Sequence, residues 1–481
     1  MRVVLVNPYA RSLSWFFYSQ GMVTPPFGMV QVATCLRDDG HDVRVIDGQA
    51  NYEDQEITLQ RVLARDPEMI GIGTTPLVHL YSFMSTTATP YWLDFARRLR
   101  GAGYPGRILV GGTYASRFPA ETLAACDAVD GVVLGEGDVS MVEFARRPSE
   151  SVPGIVTRTH PNPGSAGPAP PACDPDFSLL EEWPGSYGVD ESLCLGEGPR
   201  RLRLVTPVLT ARGCPFRCTF CPTPVFFDKR FSEAEPRAGL GSLARVTGAV
   251  SVWDDTFTVS PQRVEAICDG LIGRGSPATW WCFGRSEWIL RNRHLLPKMR
   301  RAGLRMMWLG VESTEAGALK DYARPTPFDQ SKAAVRILVE EGILPTTSYI
   351  VGHPEITRAG LRAEHERSEE TFALGSVNVY TIMIPLPGTP MHARLQAEDR
   401  LVSTDLRLYG GTRAVVRYRH VEAAEVEDHF YEAYAGSILS ERFLTHVGRA
   451  NLWSQATETR ARNLRVEFEA ERDRARTLEL T

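Results

Sequence analysis

A count limits the fold of this 481-residue chain more than any single residue does. Between residues 201 and 395, six short apolar or β-branched runs recur: RLVTPVLT (203–210), GAVSVWDD (248–255), ATWWCFG (278–284), LRMMWLGVE (304–312), PTTSYIVG (345–352) and VNVYTIMIP (377–385). Segments with helical spacing near 233–246, 260–273, 292–302, 327–341 and 359–373 separate them. Strands joined through helices run parallel, because a parallel pair needs a long crossover. Six such units predict part of a TIM-type barrel, whose chemistry sits where strands end.

A separate alternation fills residues 1–148. VVLVNP, HDVRVID, EMIGIGTT, RILVGG and DGVVLGEGD read as strands, with helices such as GMVQVATCLRDDG between them. That rhythm predicts a doubly wound sheet with its ligand crevice at the carboxyl ends of the strands. The loops there are NPY (7–9), TTP (74–76), GGTYAS (111–116) and GEGD (135–138). Gly111, Gly112, Gly135 and Gly137 either let the backbone approach a bulky or anionic ligand or make tight strand-to-helix turns. Residues 149–200 are rich in Pro, Gly and Ala and read as a linker or a surface-wrapping segment. Residues 396–481 read as a small, mainly helical region ending in a tail of alternating charge. The predicted fold class is therefore α/β: a Rossmann-like domain, a linker, a partial (β/α)6 barrel and a helical C-terminal region.

With a formal charge of -5 and 23% charged residues, the chain has no bulk attraction for nucleic acid or membrane. The start, MRVVLVNPYA, turns polar too soon for a secretion signal, and no apolar stretch is long enough to span a bilayer, so a cytoplasmic location is expected. Nine cysteines, an odd number, fit thiols used for packing or cofactors. Cys35, Cys126, Cys268 and Cys282 stand in apolar or helical surroundings and are expected in cores.

Cys214, Cys218 and Cys221 differ, forming C-x-x-x-C-x-x-C directly after the first strand of the predicted barrel. A structural zinc closes a tetrahedron with four protein ligands. The nearest histidines, His160 and His294, are far away in sequence, so a zinc site would need a remote ligand. Three thiolates suit a 4Fe-4S cluster better, each holding one iron and leaving the fourth open as a reaction site.

This triplet, with Phe220 just before its last cysteine and a six-unit barrel following, resembles the radical SAM superfamily. The resemblance implies that the open iron chelates S-adenosylmethionine and that one electron cleaves it to a 5'-deoxyadenosyl radical. Residues 201–395 carry further matches in order. Asp254 and Asp255 in VWDDTFT correspond to contacts to the methionine amine, though either Asp could instead cap a helix. Arg285 in CFGRSEW suits the methionine carboxylate. Glu312 and Ser313 in WLGVES correspond to the ribose contacts, and IPLPGTP (384–390) to the adenine side. One motif departs from the family: VGHPEIT puts Glu355 one place early, so only Gly352 and Pro354 carry over, as backbone features.

The N-terminal segments TPPFGMVQVATCLRDDGHDVRVID, ILVGGTYASRFPAETL, VDGVVLGEGD and VPGIV are similar to the subfamily with a cobalamin-binding domain. That resemblance implies cobalamin contacts from Pro8, Thr75, Gly111, Gly112, Tyr114, Gly135, Glu136 and Gly137. IDGQANYE lacks the Asp-x-His-x-x-Gly signature that gives cobalt a lower axial histidine, and Tyr114 replaces a frequent histidine.

The function implied is methylation of an unactivated carbon of a small molecule. The expected partners are that substrate and a low-potential electron donor such as flavodoxin or ferredoxin. The scarcity of Lys beside Arg suggests a GC-rich bacterial genome and specialised metabolism such as antibiotic biosynthesis. The rivals are oxidative cyclisation, ring contraction or rearrangement, and methylation at phosphorus on the same scaffold. A methylthiotransferase would carry extra N-terminal cysteines, and a non-catalytic scaffold would leave Asp254, Arg285 and Glu312 unexplained. Trp280, Trp281 and Trp288 are expected in the core rather than lining a substrate pocket.

Overall fold

The computed structural model describes residues 1–10, 22–73, 82–148, 151–164, 175–190, 202–203, 205–233, 249–276 and 278–437. Contacts divide the chain into two compact units, one dominated by residues up to Gly188 and the other by residues from Val189 onward.

In the first unit the elements are β1 (Arg2–Asn7), α1 (Phe27–Asp38), β2 (Asp42–Asp47), α2 (Gln55–Leu63), β3 (Met69–Ile72), α3 (Ser82–Gly101), β4 (Arg107–Val110), α4 (Thr113–Arg117), α5 (Pro119–Ala125), β5 (Gly131–Val133), α6 (Ser140–Arg146) and β6 (Ile155–Thr157). The strand order is β2-β1-β3-β4-β5-β6. All pairs are parallel except β5 with β6. β1 is buried on both faces from Val3 to Asn7, which is why its run is continuously apolar rather than alternating. The order reverses between β1 and β3, the switch point beside which doubly wound sheets bind ligands.

The predicted linker is a correction. β6 adds an antiparallel edge to the sheet, and Leu179, Leu180 and Tyr187 are buried in the first unit's core. Phe177 stacks on Trp183 with ring centroids 4.5 Å apart. The Pro-rich composition hides these large apolar residues, which repay the ordering of the segment by burial.

The second unit contains β7 (Val205–Val208), β8 (Ala211–Gly213), β9 (Phe231–Glu233), β10 (Ala249–Val252), α7 (Pro261–Gly273), β11 (Thr279–Gly284), α8 (Ser286–Arg291), α9 (Leu296–Arg301), β12 (Leu304–Glu312), α10 (Ala316–Asp321), α11 (Phe328–Glu340), β13 (Leu344–Val351), α12 (Arg358–Leu374), β14 (Val377–Ile382), α13 (Pro390–Ala397) and α14 (Ala423–Ser437). Its large sheet runs β7-β10-β11-β12-β13-β14, in sequence order and parallel throughout, the winding of a partial barrel. The helix expected at 233–246 and the charged tail lie outside the described residues, while α8 and α10 are short helices that the sequence pattern did not announce.

Helix ends follow local chemistry. Ser260 caps α7 through Arg263 N with Pro261 at the first position, and Thr357 caps α12, which stops at Gly375 in the left-handed region (φ 110°). Val250, Val252, Trp280, Cys282, Met307 and Leu309 pack against the helices. The opposite parity carries a row of rings, Trp253, Trp281, Phe283 and Trp308, with successive centroids 5.8, 5.3 and 5.7 Å apart. Trp280 and Trp288 are thus core residues, as expected, and Trp281 belongs to the aromatic row.

Candidate active site

The cysteine loop follows β8 and is held from three sides. At its root, Asp254 Oδ1 accepts from Thr210 N (2.6 Å) and Ala211 N (2.8 Å), and Oδ2 accepts from Thr210 Oγ1 (2.6 Å) and Arg263 Nη2 (2.9 Å). At its middle, Thr219 N and Oγ1 donate to the carbonyls of Tyr322 and Asp321 at the end of α10, and Met391 N donates to Thr219 O. Asp321 is in turn held by Arg394 and by His353 Nε2 at 2.9 Å. Phe220 meets Tyr322 edge-on with centroids 5.3 Å apart.

The three thiols sit close enough to disfavour one another's ionisation. Burial pushes Cys214 up to about 12 and Cys221 well above the usual thiol range, with Cys218 adding to both. Iron must therefore displace protons to bind. Among the described residues no three His, Cys, Asp or Glu side chains form a group able to hold one metal ion. A cluster asks for something else, one thiolate per iron. Cys126, Cys268 and Cys282 are buried and Cys35 half-buried; Cys173 and Cys194 lie outside the described residues.

Strand ends bring other side chains together. Arg285, after β11, lies over the Phe216 ring of the cysteine loop, 3.6 Å from its centroid, and its Nε bonds Glu287. Among the described residues its two Nη groups take no hydrogen-bond partner. Glu312 ends β12 at φ 68°, rare for a residue with a side chain, beside a register shift between β12 and β13. Its carboxylate meets Arg324 Nη2 at 3.5 Å and Ser348 Oγ at 3.3 Å. Burial raises its pKa and Arg324 opposes that. Asp255 accepts from Thr223 Oγ1 at 3.2 Å.

Two expected contacts are corrected. Asp254 is fully buried and both its oxygens are taken by Thr210, Ala211 and Arg263, so it clasps the loop and offers nothing to a methionine amine. The Ser313 hydroxyl is bonded to Glu364 and accepts from Glu315 N at 3.0 Å, which commits it to the turn before α10 rather than to a ribose. The Glu355 carboxylate pairs with Arg400 and, at 3.5 Å, Arg419, while its backbone N donates to His353 Nδ1 at 3.2 Å. Gly352 (φ 83°) is required by packing, because a Cβ there would stand 2.6 Å from Val426 Cγ1. The Pro354 carbonyl accepts from Arg400.

In the first unit the loops after β1 and β2 interlock. Asn7 Nδ2 donates to Asp47 Oδ1 (2.7 Å), Ala10 N donates to Gln49 Oε1 (2.9 Å), and Tyr187 OH donates to Asp47 Oδ2 (2.9 Å). Gly112 (φ 107°) starts α4 and Gly135 (φ 64°) turns the chain after β5, conformations that favour glycine. Gly111 would accept a Cβ 3.7 Å from Val133, whereas a Cβ at Gly137 would stand 3.2 to 3.4 Å from Met141, Val133 and Val32. Tyr114 is half-buried against Phe118, ring centroids 5.0 Å apart, Pro8 is buried, Glu136 is half-exposed, and Thr75 lies outside the described residues.

Comparison with known proteins joins these two halves. The B12 binding domain family matches residues 19–145 and the radical SAM superfamily matches residues 208–365. The chain belongs to the cobalamin-dependent radical SAM enzymes. An uncharacterised methyltransferase of Pyrococcus horikoshii is 24% identical over 454 residues, 92% of this chain and 94% of that one. The anaerobic magnesium-protoporphyrin IX monomethyl ester cyclase of Rubrivivax gelatinosus is 23% identical, covering 93% of this chain and 79% of its own. The hopanoid C-3 methylase of Methylococcus capsulatus is 24% identical, covering 82% and 73%. The radical S-adenosylmethionine methyltransferase TsrM from Kitasatospora setae, solved with cobalamin and a [4Fe-4S] cluster bound, shares the fold: its TM-score is 0.64 at 18% identity, over 89% of this chain and 80% of that one.

As a cobalamin-dependent radical SAM enzyme the chain uses a 4Fe-4S cluster, S-adenosylmethionine and cobalamin. The residues present fit them. Three thiols near enough to repel one another as thiolates are joined by a donor from Arg324, whose Nη1 is 3.9 Å from Cys218 Sγ. At the switch-point crevice, Asn7 Oδ1 and Gln49 Nε2 are buried without a hydrogen-bond partner among the described residues, an acceptor and a donor suited to an amide-fringed macrocycle. Among the described residues no helix is long and apolar enough to cross a membrane.

The sequence reading missed Arg263, Arg324 and Glu364. Arg263 bonds Asp254, Arg324 contacts Cys218 and Glu312, and Glu364 bonds Ser313. Burial pushes Glu364 up to about 7. It borders a small recess lined also by Glu312, Ser313, His365, Tyr380 and His429. No motif spacing marks these residues, because each reaches its partner from a neighbouring element.

Proposed function

We propose that this enzyme methylates an unactivated carbon of a small molecule by a radical route. The observation that carries the reading is the pairing in one chain of a clasped three-thiol loop, faced by Arg285 and Glu312, with a B12 binding domain. The methyltransferase and C-3 methylase relatives support the outcome. Bound together, the cluster and S-adenosylmethionine supply a carbon radical able to take hydrogen from a C–H bond, and the corrinoid supplies a methyl group.

The chain's own residues bind and orient. Cys214, Cys218 and Cys221 hold the cluster. Arg285, braced by Glu287 and Phe216, directs its two Nη donors at the methionine carboxylate, a fork that matches a carboxylate. Glu312 accepts from the ribose hydroxyls, Asp255 stands by the methionine amine, and Phe220 adds a contact to the cofactor from within the loop. Pro8, Gly111, Gly112, Tyr114, Gly135, Glu136 and Gly137 would line the corrinoid crevice. A low-potential donor would deliver the electron to a cluster held by these half-buried thiols.

A second reading, radical oxidation or cyclisation without methyl transfer, is favoured by the cyclase relative. Anaerobic incubation with hydroxocobalamin, S-adenosylmethionine and a low-potential reductant separates them. Methyl transfer yields 5'-deoxyadenosine, S-adenosylhomocysteine and protein-bound corrinoid together. Deoxyadenosine alone puts the second reading first.

A further inference from the structure

We propose that Arg324 sets the reduction potential of the cluster by holding its charge against the Cys218 sulfur. The inference rests on the cluster reading above and goes beyond it, since it concerns how readily that cluster accepts an electron.

Arg324 follows α10 and is 9% exposed, so its charge is poorly screened by solvent. Its fork is fully placed. Nη1 lies 3.9 Å from Cys218 Sγ, Nη2 donates to the Gly310 carbonyl, and the Glu312 carboxylate is 3.5 Å from Nη2. The same stretch fixes the loop, through the Tyr322 and Asp321 carbonyls that bind Thr219 next to Cys218. Guanidinium and sulfur are therefore held by neighbouring backbone, and their separation does not depend on a long free side chain.

Reduction adds one negative charge to a cluster already bound by thiolates. A buried cation beside one sulfur favours the reduced form, and hydrogen bonds to sulfur and local charge are the levers that move such potentials. Glu312 opposes part of that charge, so one guanidinium links the electron-accepting end of the site to the strand end where Glu312 stands. Arg285 is another buried cation nearby, acting on Cys214, with its Nε held by Glu287 and its face by Phe216.

The test is an EPR-monitored redox titration of anaerobically reconstituted full-length protein, with iron and sulfide counted. Arg324→Gln is expected to load the cluster and to show about a tenfold lower reduced-to-oxidised ratio at a given potential, equal to about 59 mV for one electron. Arg324→Lys, which keeps the charge, is expected to recover more than half of that shift. A loaded Gln variant with the wild-type midpoint overturns the proposal. Should the Gln variant take up no iron, wild-type protein labelled with 15N-arginine decides: pulsed EPR of the reduced cluster must show a 15N coupling that Arg324→Lys lacks, and its absence overturns the proposal. A wild-type protein that binds no four-iron cluster, or a Cys218→Ala variant that keeps one, instead overturns the reading beneath it.

Discussion

Asp254 holds Thr210 by backbone and side chain at once, Oδ1 to the amide and Oδ2 to the hydroxyl, both at 2.6 Å. Because Thr210 precedes β8 and the cysteines follow it, this clasp fixes where the thiols begin. Removing the carboxylate strands buried Arg263 and two amides. Asp254→Ala is expected to cost about 3 to 5 kcal/mol, the range for breaking one side of a buried ion pair. Iron content per chain should fall with it in anaerobic reconstitution. A variant with full iron and full stability but no affinity for S-adenosylmethionine would return Asp254 to a ligand-contact role.

Arg285 gives the converse pattern. Glu287 holds its Nε and Phe216 its face, while its Nη groups take no hydrogen-bond partner among the described residues. Arg285→Met is expected to keep iron and thermal stability while weakening S-adenosylmethionine binding 10- to 100-fold, about 1.4 to 2.8 kcal/mol. Arg285→Lys recovers only part, since a point charge cannot reproduce a two-pronged contact. Equilibrium dialysis of reconstituted protein reads the affinity; an unchanged value removes Arg285 from the site.

Gly310 permits the Glu312–Arg324 pairing. A Cβ at Gly310 would collide with the Glu312 carboxylate and stand 2.7 Å from Arg324 Nη2. Its backbone is not left-handed, so the effect of Gly310→Ala is steric. The expected loss is about 1 to 3 kcal/mol, the usual cost of overpacking. The cluster's EPR signal should change along with the melting temperature. Wild-type values for both would mean that Glu312 and Arg324 move apart without consequence.

The parallel strands of both sheets were legible because crossover helices punctuate them, and the cysteine loop because its spacing is confined to eight residues; the antiparallel edge β6 was not. Direction was not legible. VWDD reads equally as a ligand contact or a cap, and only the fold turns Asp254 back onto Thr210. Ser313 fails for the same reason, since Glu364 reaches it from α12, 51 positions away. Arg324 and Arg263 belong to no motif, and their roles come from elements that meet only in the folded chain. The stretch 175–188 was masked by the proline-rich run before it, although Leu179, Leu180 and Tyr187 complete the first unit's core.

Asp47 supplies a pH test of that first unit. Burial, with repulsion from Glu182 second, pushes its carboxyl up to about 7, against the Tyr187 and Asn7 hydrogen bonds that pull it down. The unfolded value is about 3.9. Between those two values the folded chain holds the extra proton, so stability from this group is complete below about pH 4 and is lost as pH rises through about 7. A displacement of this size corresponds to roughly 2 to 4 kcal/mol. Asp47→Asn has no proton to lose. Urea unfolding of wild type and variant at pH 5, 6, 7 and 8 should therefore show wild-type stability falling relative to the variant across the series. A constant difference between the two proteins would mean that Asp47 stays ionised throughout, with the charge tolerated by Tyr187, Asn7 and the Gln49 amide.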